Sequence, residues 1–342
     1  MTDGEIKTFD EAITMAGDKK HLLLGNGFSI EYDAEIFSYD KICECINKNE
    51  KLLEITKKLN TTNIEEIMRI LDRCIDVITI IKPQEKDKKD DPICEELKKI
   101  KDEFKSALVT AILKLHPQNY DKRSRQLKLD CERFLANFDS IYTLNFDLLS
   151  YWAMPFQKFK DGFVGKGEER LYFAYWCGCN MRFLHGALHL FHDKVGTYKI
   201  RRSNDTPDYL LMQIARQIED GNFPICVIDG SAEGKRNAIY KNDYLRTSYE
   251  NLRNLSGSLF IYGCSLSPND DHILEAIGQS NVDKIFISLF GTATAEGYDG
   301  AIRKIKEVRK AKQEQMKEEN NQQKEPEFYF FSAKSANVWG KK

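Results

Sequence analysis

The sequence predicts an α/β protein, an open and mostly parallel sheet with helices on both faces and one large helical insertion. Short apolar runs of strand length recur along the chain and alternate with helical patterns, as in a sheet whose strands are buried on both faces. Several of these runs drop directly into turns rich in glycine, asparagine or serine, which is where such sheets bind ligands. The 342 residues are 42% hydrophobic and 30% charged, enough apolar material for one sizeable core in an ordinary globular composition.

Residues 8–16 have helical spacing, with Phe9, Ile13 and Met15 as the buried positions. The apolar run 21–24 then enters Gly25-Asn26-Gly27-Phe28-Ser29, a strand-to-turn start for a parallel sheet. From about residue 40 to 137 the pattern is helical, and it is read as an insertion within a single domain spanning 1–342. Thr62 and Glu65 have capping-box spacing, and Ile64, Ile67, Ile70, Leu71, Cys74 and Val77 follow at helical intervals. The charge run 84–92 reads as a solvated loop. Leu97, Ile100, Phe104, Leu108, Ile112 and Leu115 mark another long helix, closed at His116-Pro117. Further strands are expected at 140–143, 183–184, 224–228, 259–262, 284–289 and 328–331, with helices at 270–279 and 299–320. The last helix and strand form a C-terminal extension over about 299–342. The segment 328–339 is apolar enough to be a core strand or a docking peptide.

A formal net charge of −2 gives no positive field to recruit phosphates, so no direct nucleic-acid partner is expected. No apolar run approaches the roughly 18–20 residues that span a bilayer. The opening MTDGEIKTFDEAI lacks the basic and apolar regions of a signal peptide. Nine cysteines without a compact framework point to a reducing compartment, and the cytoplasm is the expected location.

Four motifs lie at the C-terminal ends of the expected strands. The small residues of Gly25-Asn26-Gly27-Phe28-Ser29 would let backbone amides approach a pyrophosphate, or would simply make a tight turn; Ile30 stands where a full dinucleotide fingerprint has its third glycine. Thr143-Leu144-Asn145-Phe146-Asp147 sets an amide and a carboxylate two residues apart, suited to holding a sugar hydroxyl and stabilising positive charge on a reacting sugar. The same residues also shape turns and cap helices. His185 in Leu184-His185-Gly186 is a candidate base or a structural hydrogen-bonding group. His189 and His192 follow it, but the strand-like alternation there argues against a helical metal site. The fourth motif is Gly263-Cys264-Ser265-Leu266.

In this order the set resembles the sirtuin-like NAD-binding superfamily, whose members carry a glycine-rich turn with a following serine, a T-x-N-x-D turn, a His-Gly and a late Gly-x-Ser. The motifs span Gly25 to Leu266, about seven tenths of the chain. The resemblance implies a Rossmann-like fold with NAD as substrate. Gly25, Asn26, Gly27, Ser29 and Thr143 would line the pyrophosphate and ribose side. Asn145 would hold the nicotinamide ribose, with Asp147 beside the attacked carbon and His185 as base or water-orienting group. Gly263 and Ser265 would close over the adenosine half, and Asp270 would touch a ribose.

Protein-deacylating sirtuins carry two C-x-x-C pairs after the histidine, whereas the cysteines after His185 are Cys226 and Cys264. No zinc or other metal is therefore expected, and deacylation is disfavoured. The helical insertion is similar to that of sirtuin-like bacterial antiphage defence effectors, which hydrolyse NAD and often work beside a HerA-type ATPase. The resemblance thus implies an NAD glycohydrolase restrained until triggered, a homo-oligomer, and such a defence partner. An NAD or ADP-ribose sensor without turnover and a zinc-free deacylase are the alternatives.

Overall fold

The computed structural model describes residues 6–46, 49–82, 91–117, 122–165, 170–200, 209–315 and 324–340. Its main sheet comprises β1 (Lys20–Leu24), β2 (Ser140–Thr143), β5 (Met181–Phe183), β8 (Ser256–Tyr262), β9 (Asn281–Leu289) and β10 (Glu327–Ser332). A second, antiparallel sheet comprises β3 (Phe163–Val164), β4 (Arg170–Phe173), β6 (Leu190–His192) and β7 (Thr197–Ile200). The main sheet is parallel throughout, in the order β10-β9-β8-β1-β2-β5. The chain starts at β1, builds outward through β2 and β5, then crosses back to β8 and builds the other way. This is a Rossmann-like arrangement, and its topological switch point lies between β1 and β8.

The strands are buried on both faces, which is why they read as unbroken apolar runs. Leu22, Leu23, Leu24, Ile141, Tyr142, Phe260 and Phe286 have no solvent exposure. Register positions the site. Leu24 pairs with Thr143 on one side and Tyr262 on the other, and Thr143 pairs with Phe183. The turns after β1, β2, β5 and β8 therefore leave the sheet along one edge.

Between β1 and β2 the described chain is helical, through α2 (Gly27–Tyr32), α3 (Ala34–Phe37), α4 (Tyr39–Ile46), α5 (Glu50–Leu59), α6 (Ile64–Ile81), α7 (Pro92–Leu115) and α8 (Lys122–Leu135). It follows the opening helix α1 (Phe9–Met15), whose Thr8 and Glu11 form a capping box. The cap of α6 differs from the one that the Thr62–Glu65 spacing predicts. Asn63 is the N-cap, accepting from the amides of Glu65 and Glu66, while the Thr62 hydroxyl donates to Asp40. Asparagine in that place already satisfies two orphan amides, so the threonine is freed for a tertiary contact. The charge run at 84–92 lies almost wholly outside the described residues.

The remaining helices are α9 (Leu149–Ala153), α10 (Tyr209–Glu219), α11 (Ala232–Tyr240), α12 (Asp243–Arg253), α13 (Asp271–Gln279) and α14 (Asp299–Gln315). The expected strand at 224–228 does not join the main sheet. It runs extended against the turn after β5, with Val227 N donating to His185 O at 2.8 Å and Ile225 N to Leu190 O at 2.7 Å. Apolar residues there are buried by a loop pairing, which local composition cannot distinguish from a central strand.

The segment 328–339 is core. β10 pairs with β9, Val338 and Trp339 are buried, and the Trp339 indole N–H donates to Phe28 O at 2.9 Å. The fully buried guanidinium of Arg309 on α14 donates to Gly278 O and Val282 O, tying the last helix to α13 and β9. No helix among the described residues is long and apolar enough to cross a membrane.

Candidate active site

The four turns converge at the switch point around a cavity of about 510 Å³. Gly25, Asn26, Gly27, Asn145, Asp147, His185, Gly263, Ser265 and Asp270 line it. The helical insertion lines it as well, through Phe37, Ile42, Ile64, Leu108 and Ile112, so most of the wall is apolar. Ser29 and Thr143 do not reach this wall. Both are fully buried behind it and act as supports.

The glycines answer to a close approach of two turns. A Cβ on Gly25 would lie 2.6 Å from Gly263 O, and one on Gly27 would lie 2.7 Å from Gly263 Cα. Gly263 itself has a φ of +69°. Gly27 N donates to Gly263 O at 2.8 Å, Phe28 N to Gly25 O, and Ser29 N to Asn26 O. These amides, which the sequence offered to a pyrophosphate, are already engaged within the fold.

The turn after β2 is held by a short polar chain. Thr143 Oγ1 accepts from Asn145 N at 3.1 Å. Asn145 Nδ2 donates to Ser29 Oγ at 2.9 Å, and that hydroxyl donates to Asp147 Oδ2 at 2.5 Å. Asp147 Oδ1 accepts from Leu149 N at 2.8 Å at the start of α9. Burial pushes the Asp147 carboxyl upward, and the bonds from Ser29 and Leu149 pull it back. Asp147 therefore shapes the turn and lines the cavity at once.

His116, in sequence only the end of α7, anchors this turn. Its Nε2 accepts from Leu148 N at 2.9 Å and its Nδ1 donates to Pro117 O at 3.1 Å, a neutral tautomer. Burial pushes its pKa down from 6.5 to about 4. Below 6.5 the unfolded chain binds a proton that the folded chain refuses. The stability His116 contributes is thus complete above 6.5 and is lost as pH falls toward 4, a term of roughly 3 kcal/mol. Buried His185 and His272 act in the same direction. The raised Asp147 and Glu65 carboxyls oppose them as they protonate. We expect the urea midpoint at pH 5 to fall below that at pH 7.5, with a smaller difference in His116→Gln. Equal midpoints in the wild type would contradict neutral buried histidines.

His185 follows β5, with Leu184 N bonded to Thr143 O at 2.9 Å. Gly186 turns the chain at φ +84°, where a Cβ would lie 1.9 Å from Ile225 O. Glycine is therefore required after the histidine for backbone packing alone. The His185 Nε2 lies 2.8 Å from Nε2 of His272, a residue in the first turn of α13 that the sequence did not single out. Burial, then the charge of Lys235, drives the His185 pKa far down.

One family model matches residues 22–339. The chain belongs to DUF4917, a domain of unknown function. No curated protein matches it. The matched span runs from β1 to Trp339 and takes in every residue on the cavity wall as well as the helical insertion, so in DUF4917 the insertion and the sheet are one family unit.

Behind the wall lies the ammonium of Lys235 on α11, fully buried, 2.9 Å from Asp270 Oδ1 and 3.1 Å from Glu65 Oε1. Burial pulls its pKa down, and the two carboxylates more than compensate, so it remains charged. Glu65 belongs to α6 and Asp270 to the turn before α13, so this lysine joins the insertion to the sheet at the cavity. Nothing in the local sequence around Lys235 marked it. The sequence predicts no metal site here. Among the described residues, His185, Asp270 and His272 form a group whose ligand atoms lie within 4.8 Å of one another. That donor set suits a divalent cation, but the Lys235 ammonium is bound to Asp270 Oδ1 and opposes a second positive charge beside it. His189 does not join the group; it stacks on Tyr151 at 4.2 Å.

Proposed function

We propose that this protein cleaves the nicotinamide–ribose bond of NAD, releasing nicotinamide and ADP-ribose. The observation that carries this reading is that Asn145, Asp147 and His185, from two different turns, line one cavity at the switch point of the sheet. Nicotinamide leaves as a neutral molecule from a cationic pyridinium, so the protein has little covalent chemistry to perform. It must hold the ribose, support positive charge on the sugar, and admit one water. Asn145 holds the ribose by exchanging its bond to Ser29 for one to a sugar hydroxyl. Asp147 supports the developing charge, and His185 orients the water. The apolar residues of the insertion keep bulk water from the reacting carbon. Gly263 and Ser265 take the adenosine half, and Asp270 reaches a ribose through the oxygen that Lys235 leaves open.

An unrestrained NAD hydrolase would be harmful to its cell. The same reading therefore includes a restrained resting form in the cytoplasm, released through a homo-oligomer or a defence partner such as a HerA-type ATPase. One observation favours an NAD or ADP-ribose sensor instead: Asn145, Ser29 and Asp147 already satisfy one another. Titration calorimetry with NAD separates the two. Binding heat followed by continuing heat of turnover is expected, whereas saturable binding without turnover would move the assignment to the sensor.

A further inference from the structure

The contact between His185 and His272 is a head-on one. The ring planes differ by 22° and the centroids are 5.1 Å apart, which is the 2.8 Å Nε2–Nε2 distance extended by one ring radius at each end. Two nitrogens facing along that line hold a single proton, one ring donating and the other accepting. A shared cation would not give this geometry. Zinc–nitrogen bonds of about 2.0–2.1 Å in a tetrahedral site set two imidazole nitrogens roughly 3.3 Å apart and turn both toward the metal.

The surroundings keep the pair uncharged. His272 is fully buried on α13, with its carbonyl accepting from the Tyr249 hydroxyl of α12 at 2.7 Å and its Nδ1 without a partner among the described residues. Burial is the largest influence holding both rings neutral; Lys235 of α11 adds to it at both, His185 and Arg236 add to it at His272, and Asp270 pulls His272 the other way. His185 lines the cavity and His272 does not. With Nε2 committed to its neighbour, Nδ1 is the ring nitrogen of His185 left to address a ligand.

We propose that His272 is the positioning residue for His185: by sharing one proton between their Nε2 atoms it locks His185 into a single neutral tautomer, so that His185 meets the ligand as a fixed, uncharged hydrogen-bonding group at Nδ1. This rests on the NAD-cleaving reading and refines it. A histidine backed by a carboxylate is stabilised as an imidazolium and takes up a proton in the reaction. One backed by a neutral imidazole beside a lysine is not, and it orients water without becoming charged. That suffices where the leaving group departs neutral and the sugar carbon is already electron-poor.

The test uses the full chain labelled with ¹⁵N-histidine. Long-range ¹H–¹⁵N correlations should show His185 in one neutral tautomer from pH 5.5 to 8, whatever the turnover. In His272→Phe that signal should move to a mixture of tautomers, and His272→Gln, whose amide reaches the same place, should restore a single one. In steady-state assays His272→Phe should lower kcat at least tenfold with KM for NAD little changed. His272→Glu should introduce an ionisation into the pH–rate profile that the wild type lacks. A wild-type His185 that titrates between pH 6 and 7, or an unchanged tautomer in His272→Phe, would overturn the proposal. So would Zn²⁺ or Mn²⁺ binding that His272→Phe abolishes. Because the spectra do not depend on catalysis, an inactive wild type with the expected tautomers would sink the NAD-cleaving reading and leave the pairing intact.

Discussion

Asn145→Ala should lower nicotinamide release from NAD by about 10²–10³-fold, the usual cost of removing one polar group that holds the reacting centre. The fold should survive. Among the described residues the Asn145 side chain makes one neutral hydrogen bond, to Ser29 Oγ, and such a bond is worth about 1 kcal/mol. Ser29 would keep its stronger bond to Asp147. Urea unfolding should therefore show a small loss of stability beside the large loss of rate. Affinity for NAD, measured by calorimetry at short times, should fall much less than turnover, since the apolar wall supplied by the insertion is untouched. His185→Ala should show the same split between turnover and affinity. Wild-type turnover in either variant would show that the cavity's polar groups have been given the wrong roles.

Lys235→Met should be strongly destabilising. The side chain fits a buried, elongated space, but methionine leaves Glu65 and Asp270 facing each other without their shared cation. Removing one member of a buried ion pair typically costs about 3–5 kcal/mol, because the partner's charge is stranded or must be neutralised. The loss should appear as a lower urea midpoint. Lys306→Met, in a pair with Glu325 that is largely solvent-exposed, should change stability by no more than about 0.5 kcal/mol. Since Lys235 bridges α6 and the turn before α13, its loss should also loosen the insertion over the cavity, seen as faster amide exchange in α6 and α7. Equal effects from the two lysine variants would mean that the buried triad carries no structural weight.

The parallel sheet was legible because burial on both faces leaves a simple mark. Residues 21–24 and 259–262 are apolar runs ending in small or polar residues, 140–143 carries the apolar pair Ile141 and Tyr142 before a similar turn, and β1, β8 and β2 fall there. The turns of the site were legible for the same reason, since they sit where strands stop. What the sequence concealed has other causes. The second sheet is built of strands two to four residues long, too short for any periodicity, and its fully buried β7 contains Lys199, held by Asp161. Residues 224–228 looked like a strand because a loop pairing against His185 buries the same kind of side chain. His116, His272 and Lys235 were missed because each acts through a tertiary contact 32 or more residues away in sequence. The glycines illustrate a subtler limit. Gly25, Gly27 and Gly263 fit a phosphate-binding turn in sequence, yet in the fold each is required where the turns after β1 and β8 touch.

If the switch-point cavity cleaves NAD, the purified protein must release both halves of it. The most direct measurement is release of nicotinamide and ADP-ribose from NAD by the purified protein, alone and with its natural partner, beside Asn145→Ala under the same conditions. Stoichiometric release of both products by the wild type is expected, with at least a hundredfold less from the variant. Equal release by the two proteins, or saturable NAD binding without any nicotinamide under either condition, would contradict it.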